Sequence, residues 1–346
     1  MTARRFVPAA VTLAAATAAL SFRTAESPVV RINAAAAGLL ETLDEGQRTT
    51  LLLPADSETR PQWHFVPKDE RKGLPLKAMS KPQRQQTARL LRAALSGVGA
   101  KKVSQIRTLE GIVRDLEGEG RRWSRDPAAY HLTFFGEPSA EGRWALSFEG
   151  HHVSLNLLFE GGEIAASTPQ FLGAHPAVVS AETAGNPTDG PWKVLGDEAE
   201  LAFTLAASLT EEQRSQAMTS ETPPKEIRNS GEPQPTAYDA AAGVAGRDLS
   251  AAQRRILGEL VATYCEVMNE TTAARRMLEI GGLGDVRFSY SGTMAWGEPH
   301  AYVVQGPTFV IEYVNTQPDA EGNPANHAHC IYRDLRGDFG QPLAAE

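Results

Sequence analysis

Apolar residues recur at helical spacing after Ser80 (Ala88, Leu91, Ala94, Leu95) and after Ser250 (Ile256, Leu257, Leu260, Val261, Tyr264), which predicts two core-facing helices. Each follows a start pattern of an apolar residue, a cap residue, two variable positions, Gln and Arg. The pattern occurs four times, at Leu43-Asp44-Glu45-Gly46-Gln47-Arg48, Met79-Ser80-Lys81-Pro82-Gln83-Arg84, Leu209-Thr210-Glu211-Glu212-Gln213-Arg214 and Leu249-Ser250-Ala251-Ala252-Gln253-Arg254. Asp, Ser or Thr accepts a backbone N–H of the first turn while Gln reaches back to the cap, so the motif serves helix stability rather than catalysis.

Runs of alternating polarity predict strands, and these also come in two sets. Phe135-Gly136-Glu137-Pro138 is echoed by Trp296-Gly297-Glu298-Pro299, each followed by a run, a glycine and a second run. Aligning Gly150 with Gly306 sets Asn156 against Glu312. The ordered landmarks predict a diverged duplication, about 40–160 and 206–314, each copy a helical pair followed by a β-hairpin. The fold class expected is α+β, an antiparallel sheet with helices packed on it, as a single globular domain over 26–346. The spacer 161–196, rich in Gly, Pro and Thr, is expected as a connection lying over one face of that sheet.

Composition narrows the function. The chain has 346 residues and a formal charge of -8, which argues against nucleic acid or anionic membrane as partner. Two cysteines, Cys265 and Cys330, are too few for a disulfide scaffold or a thiolate-ligated metal module and leave one bond or none. Arg4 and Arg5 followed by the uncharged stretch 6–20 predict a signal peptide over 1–25, hence a periplasmic or secreted protein with no stable membrane anchor.

The histidines carry the candidate chemistry. In Asn326-His327-Ala328-His329-Cys330 a strand sends His327 and His329 to one face, the spacing at which two imidazoles meet one cation, while Cys330 faces the core. If Asn315 pairs with Asn326 across the preceding turn, Glu312 stands opposite His329. His152 shares its parity with Ser154 and Asn156 and is expected inward, unless a bulge at Gly150 intervenes. His152, His327, His329 and Glu312 are therefore the candidate ligands of a divalent transition metal, with Glu312, Asn156 and Arg333 as candidate catalytic or substrate-binding groups. His64, His131, His175 and His300 are expected to be structural or at the surface.

Phosphate-binding loops, a nucleophile elbow and the cupin pattern of His-x-His followed closely by Glu are all absent from the sequence. Several segments together resemble the family catalogued as domain of unknown function 3500. They are Phe135 to Pro138, Trp144 to His152 with Leu155-Asn156, Pro169 to Pro176, Ile311-Glu312-Tyr313, Asn326 to His329 through Arg333-Asp334, and Asp338-Phe339-Gly340. The resemblance spans nearly all the chain after the export segment and singles out the same histidine-bearing segments. The expectation is an exported metal-dependent enzyme acting on a small or polymeric polar substrate, with hydrolysis ahead of oxygen chemistry. The rival is a noncatalytic exported protein that binds a ligand or metal on the same face; a third reading is a metal-free enzyme in which a histidine and Glu312 share acid–base work.

Overall fold

The computed structural model describes residues 27–68, 70–119, 123–183, 191–319 and 321–343; the predicted signal peptide lies outside them. The first half runs α1 (Pro28–Leu40), α2 (Glu45–Leu51), β1 (Leu52–Leu53), β2 (Leu74–Pro75), α3 (Lys81–Ala94), α4 (Gly97–Glu117), β3 (His131–Phe135), β4 (Trp144–Gly150) and β5 (Val153–Glu160). Next come β6 (Glu163–Ala166), β7 (Gln170–Ala174), and a separate pair, β8 (Val178–Val179) with β9 (Trp192–Lys193). The second half runs α5 (Gly196–Ser208), α6 (Glu211–Ala217), β10 (Met218–Ser220), β11 (Val244–Ala245), α7 (Ala251–Cys265), α8 (Glu270–Ile280), β12 (Arg287–Gly292), β13 (His300–Gln305), β14 (Phe309–Gln317) and β15 (His327–Asp334).

All four start patterns form capping boxes, with Asp44, Ser80, Thr210 and Ser250 as caps. The glutamines do more than cap. Gln47 Nε2 donates to Ala78 O and Gln83 Nε2 to Thr42 O, both at 2.8 Å, lashing the start of α2 to that of α3. Gln213 and Gln253 make the corresponding crossed bonds to Asp248 O and Ser208 O, at 2.8 and 2.7 Å.

The large sheet has the order β1-β3-β4-β5-β7-β15-β14-β13-β12-β10, so the same succession is met from either edge. Pairing is parallel only at the two edges, β1 with β3 and β10 with β12. Alternate strand residues such as Leu172, Tyr313, Cys330 and Tyr332 enter one large core with the helices, while Phe171, Val314 and Ile331 join Trp63, Phe65 and Ile227 on the opposite face. Helices thus cover one face, and that second cluster is built with residues from the 54–73 and 221–243 connections. Cys265 and Cys330 are buried and unpaired, and Cys330 faces the helical core as expected. No helix among the described residues is long and apolar enough to cross a membrane.

One expectation is overturned. The 161–196 spacer does not merely lie over the sheet: it supplies β7, which pairs with β5 on one side and β15 on the other and is buried along its length. The five residues of β7 are too short a run to stand out in a proline-rich context, yet they join the strands of the first part of the sheet to those of the second.

Candidate metal centre

β15 presents His327 and His329 to the loop-covered face, because the intervening Ala328 and Cys330 turn into the helical core. His152 arrives differently from the sequence reading. Gly150 pairs with Val153, so His151 and His152 form the two-residue tip of the β4–β5 hairpin, and turn geometry rather than strand parity aims the ring. His152 takes φ 64°, a left-handed conformation that costs a non-glycine residue about 1 kcal/mol. Two backbone bonds hold it there: its N–H donates to Phe65 O at 2.9 Å and its carbonyl accepts from Gly173 N at 2.8 Å.

Gly173, on β7 opposite His329, makes the space into which the rings converge. A Cβ at this position would lie 2.9 Å from Cδ2 of His152 and 3.1 Å from Cδ2 of His329. The outcome is a triangle of imidazole nitrogens. Nε2 of His327 is 2.9 Å from that of His152 and 3.0 Å from that of His329, and the last side is 3.2 Å. Among the described residues these three are the group whose donor atoms gather closely enough to hold one metal ion.

Protonation favours the same conclusion. Burial, followed by the fields of neighbouring imidazoles, holds His152 and His327 well below the usual histidine range, so both are neutral at pH 7. Glu226 approaches Nδ1 of His329 with both oxygens, at 2.7 and 2.9 Å, so Nδ1 is the donor toward the carboxylate and Nε2 is the nitrogen turned to the other two rings. A neutral imidazole Nε2–H points at one neighbour only, so the triangle leaves lone pairs facing each other unless a cation sits among them.

The surroundings are aromatic and histidine-rich. Phe65 meets His329 edge-on at 4.9 Å and stacks on Phe171 at 3.9 Å. His175 stacks on His327 with centroids 4.3 Å apart and planes 4° from parallel, and its buried Nδ1 has no hydrogen-bond partner among the described residues. His151 stacks on His152 at 3.7 Å while its Nδ1 engages Glu110 of α4. Five of the eight histidines therefore gather here, although the sequence marked only three of them.

The other predicted site residues lie elsewhere. Glu312 pairs with Ile331, and Val314 takes the place opposite His329, because the true register is two residues from the expected one and contains an irregularity between Asn315 and Gln317. Glu312 Oε2 accepts from Arg228 N and from Tyr238 OH, both at 2.7 Å, and burial raises its pKa. Asn156 donates to Ser154 Oγ and Pro169 O, both at 3.1 Å. Arg333 pairs with the buried Asp338 at 2.6 Å and donates to Glu232 O at 2.8 Å. The structure brings none of these three to the imidazoles. Glu226, the carboxylate that does reach them, sits in the segment 221–243, where no periodicity marks it; a carboxylate near a ligating His is the one general cue that points to such a residue.

No curated protein and no solved structure matches the chain. The three imidazoles, Glu226 and Gly173 all fall within residues 25–341, the stretch matched by the model of the family described as Protein of unknown function (DUF3500), and the chain belongs to that family.

Proposed function

We propose that the protein is a metal-dependent enzyme in which His152, His327 and His329 hold one divalent transition-metal ion, acting by hydrolysis on a polar substrate. The carrying observation is the convergence of three Nε2 atoms with no fourth protein donor beside them among the described residues. Structural sites close the coordination sphere with four protein ligands, whereas catalytic sites use three and leave a position open. With bonds of about 2.1 Å, separations of 2.9–3.2 Å subtend roughly 90–100° at the ion, which puts all three imidazoles on one side of it. A divalent cation there lowers the pKa of an approaching water toward about 7 and so supplies a nucleophile at neutral pH. His329 is oriented by Glu226, His152 by its strained turn, and His327 by the stacked ring of His175. Imidazole donors admit zinc, copper, iron and nickel, and both cysteines belong to the helix-covered core cluster.

This reading takes the two halves as a diverged duplication, supported by the four capping boxes and the mirrored strand order. It takes the protein as exported, on Arg4, Arg5 and the uncharged 6–20 stretch. A second reading, a noncatalytic metal carrier, is favoured by the burial of the centre, with His152 and His329 only 3% and 4% exposed.

Elemental analysis of untagged protein, wild type against His327→Ala/His329→Ala, tests the centre. Near-stoichiometric metal lost in the double variant is expected; no metal in wild type after incubation with divalent ions overturns both readings. Cobalt substitution then separates them. A visible spectrum that shifts on adding azide shows an open position, and an unmoved spectrum favours the carrier.

A further inference from the structure

His151, the neighbour of His152, lines a cavity of about 80 Å³ together with Lys68, Arg71, Lys77, Glu110 and Trp123 among others. By volume it takes several waters or one small oxyanion group. A second cleft, of about 360 Å³, shares Lys68 and Arg71 with it and adds Glu70 and the ion pair of Lys72 with Glu149, 2.8 Å, so its own additions bring no positive charge. The two together make a polar groove along the 59–72 connection, and its inner wall is the ring stacked 3.7 Å from a metal ligand.

The charges of the smaller cavity divide into committed and uncommitted ones. Glu110 is engaged by His151 Nδ1, to which Arg125 is also 3.2 Å away, whereas Asp126 accepts from the neutral backbone N–H of Ala128 at 2.8 Å and keeps its charge, one carboxylate against three cations of the lining. The cations differ. The Arg71 guanidinium donates to the carbonyls of His64 and Val66, while Lys68 and Lys77 are exposed, and among the described residues none of the three has a carboxylate partner. Arg71 is partly buried, and a guanidinium so placed gains from an anion more than one in water does. This local positive surplus belongs to a chain of net charge -8, so it is not a by-product of overall composition.

We infer that this cavity is an oxyanion subsite, which holds a phosphate or carboxylate group of the substrate through Arg71, Lys68 and Lys77 beside the tri-histidine centre. The inference rests on the enzymatic reading for the word substrate, but the binding itself does not need the metal. It narrows the polar substrate to an anionic one and gives the 59–72 connection the task of recognising it.

The test is calorimetric titration of chelator-treated full-length protein with inorganic phosphate and, separately, with galacturonate. Saturable binding of at least one at low ionic strength is expected, weakened at least fivefold in Lys68→Gln and in Lys77→Gln and more in the double variant. Both lysine side chains are exposed and make no hydrogen bond among the described residues, so these variants keep the fold; Arg71→Lys, which retains charge but loses the fork, is expected to bind more weakly than wild type. Phosphate binding without galacturonate binding marks a phosphate group as the ligand, and the converse marks a carboxylate. No saturable binding of either below ~10 mM, a free energy of less than about 3 kcal/mol, overturns the inference, as does binding that the lysine variants leave unchanged. Metal content is measured on the same batches. Metal without anion binding removes the subsite and leaves the centre, and anion binding in a protein that never takes metal does the reverse.

Discussion

Glu226 and His329, more than a hundred residues apart in sequence, meet as a carboxylate gripping an imidazole, with both oxygens within 2.9 Å of Nδ1. Such a partner fixes the tautomer and raises the basicity of the ligating nitrogen, and its loss lowers metal affinity by about 10–100-fold. Glu226→Ala is therefore expected to weaken metal binding by that factor in a competition with a chelator of known affinity, with the fold retained because the Glu226 side chain is a third exposed. An affinity within twofold of wild type would show that Glu226 does not orient the ligand.

Gly173 predicts a different kind of loss. In Gly173→Ala the new methyl must push aside ring carbons of His152 and His329 that lie 2.9–3.1 Å away, and both rings are nearly enclosed. Overpacking of this sort costs about 1–3 kcal/mol. The expected result is a lower thermal midpoint together with substoichiometric metal, although no donor atom has been removed. Full metal occupancy and unchanged stability would mean that the rings have room the structure does not show.

Glu312 separates a ligand from an anchor. Its Oε2 receives Arg228 N and Tyr238 OH, and Arg228 stands two residues after Glu226, so the carboxylate ties down the connection that delivers Glu226 to the centre. Glu312→Ala strands two donors and is expected to cost about 2–4 kcal/mol in urea unfolding. Metal added in excess should still reach the wild-type stoichiometry, with weaker affinity. Complete loss of metal in a folded Glu312→Ala protein would make Glu312 a direct ligand after all.

The contrast between these residues shows what a linear sequence exposes. His327 and His329 were legible because strand alternation is local, and the four caps were legible because a capping box closes within four residues. Glu312 was misplaced because hairpin register depends on how the 318–326 turn closes and on the irregularity at Asn315/Gln317, which no alternation rule reports. Strand parity does not account for the position of His152, since the residue lies in a turn. Glu226, Gly173 and β7 were missed for one reason: each owes its role to contacts between segments far apart in the chain, in stretches whose own pattern is that of a loop.

His300 offers a pH test far from the metal ligands. Its ring lies against Phe203 and Tyr313 on the helix-covered face, fully buried, with Nδ1 2.7 Å from Glu298 O and Nε2 without a partner. Burial pushes its pKa down to about 4 from 6.5. The folded value lies below the unfolded one, so the folded protein keeps His300 neutral while the unfolded chain takes up a proton below pH 6.5. The stability this gives is full above pH 6.5 and is lost as pH falls toward 4, by about 3 kcal/mol in all. His152, His175 and His327 are depressed too and steepen the same acid limb, so the wild-type curve alone does not isolate one residue. The difference between wild type and His300→Gln does. Measured by urea unfolding in chelator at pH 7.5 and pH 4.5, the variant should be the less stable protein at the higher pH and should close most of that gap at the lower one. A gap that stays constant between the two pH values would mean that His300 titrates alike in the folded and unfolded chains.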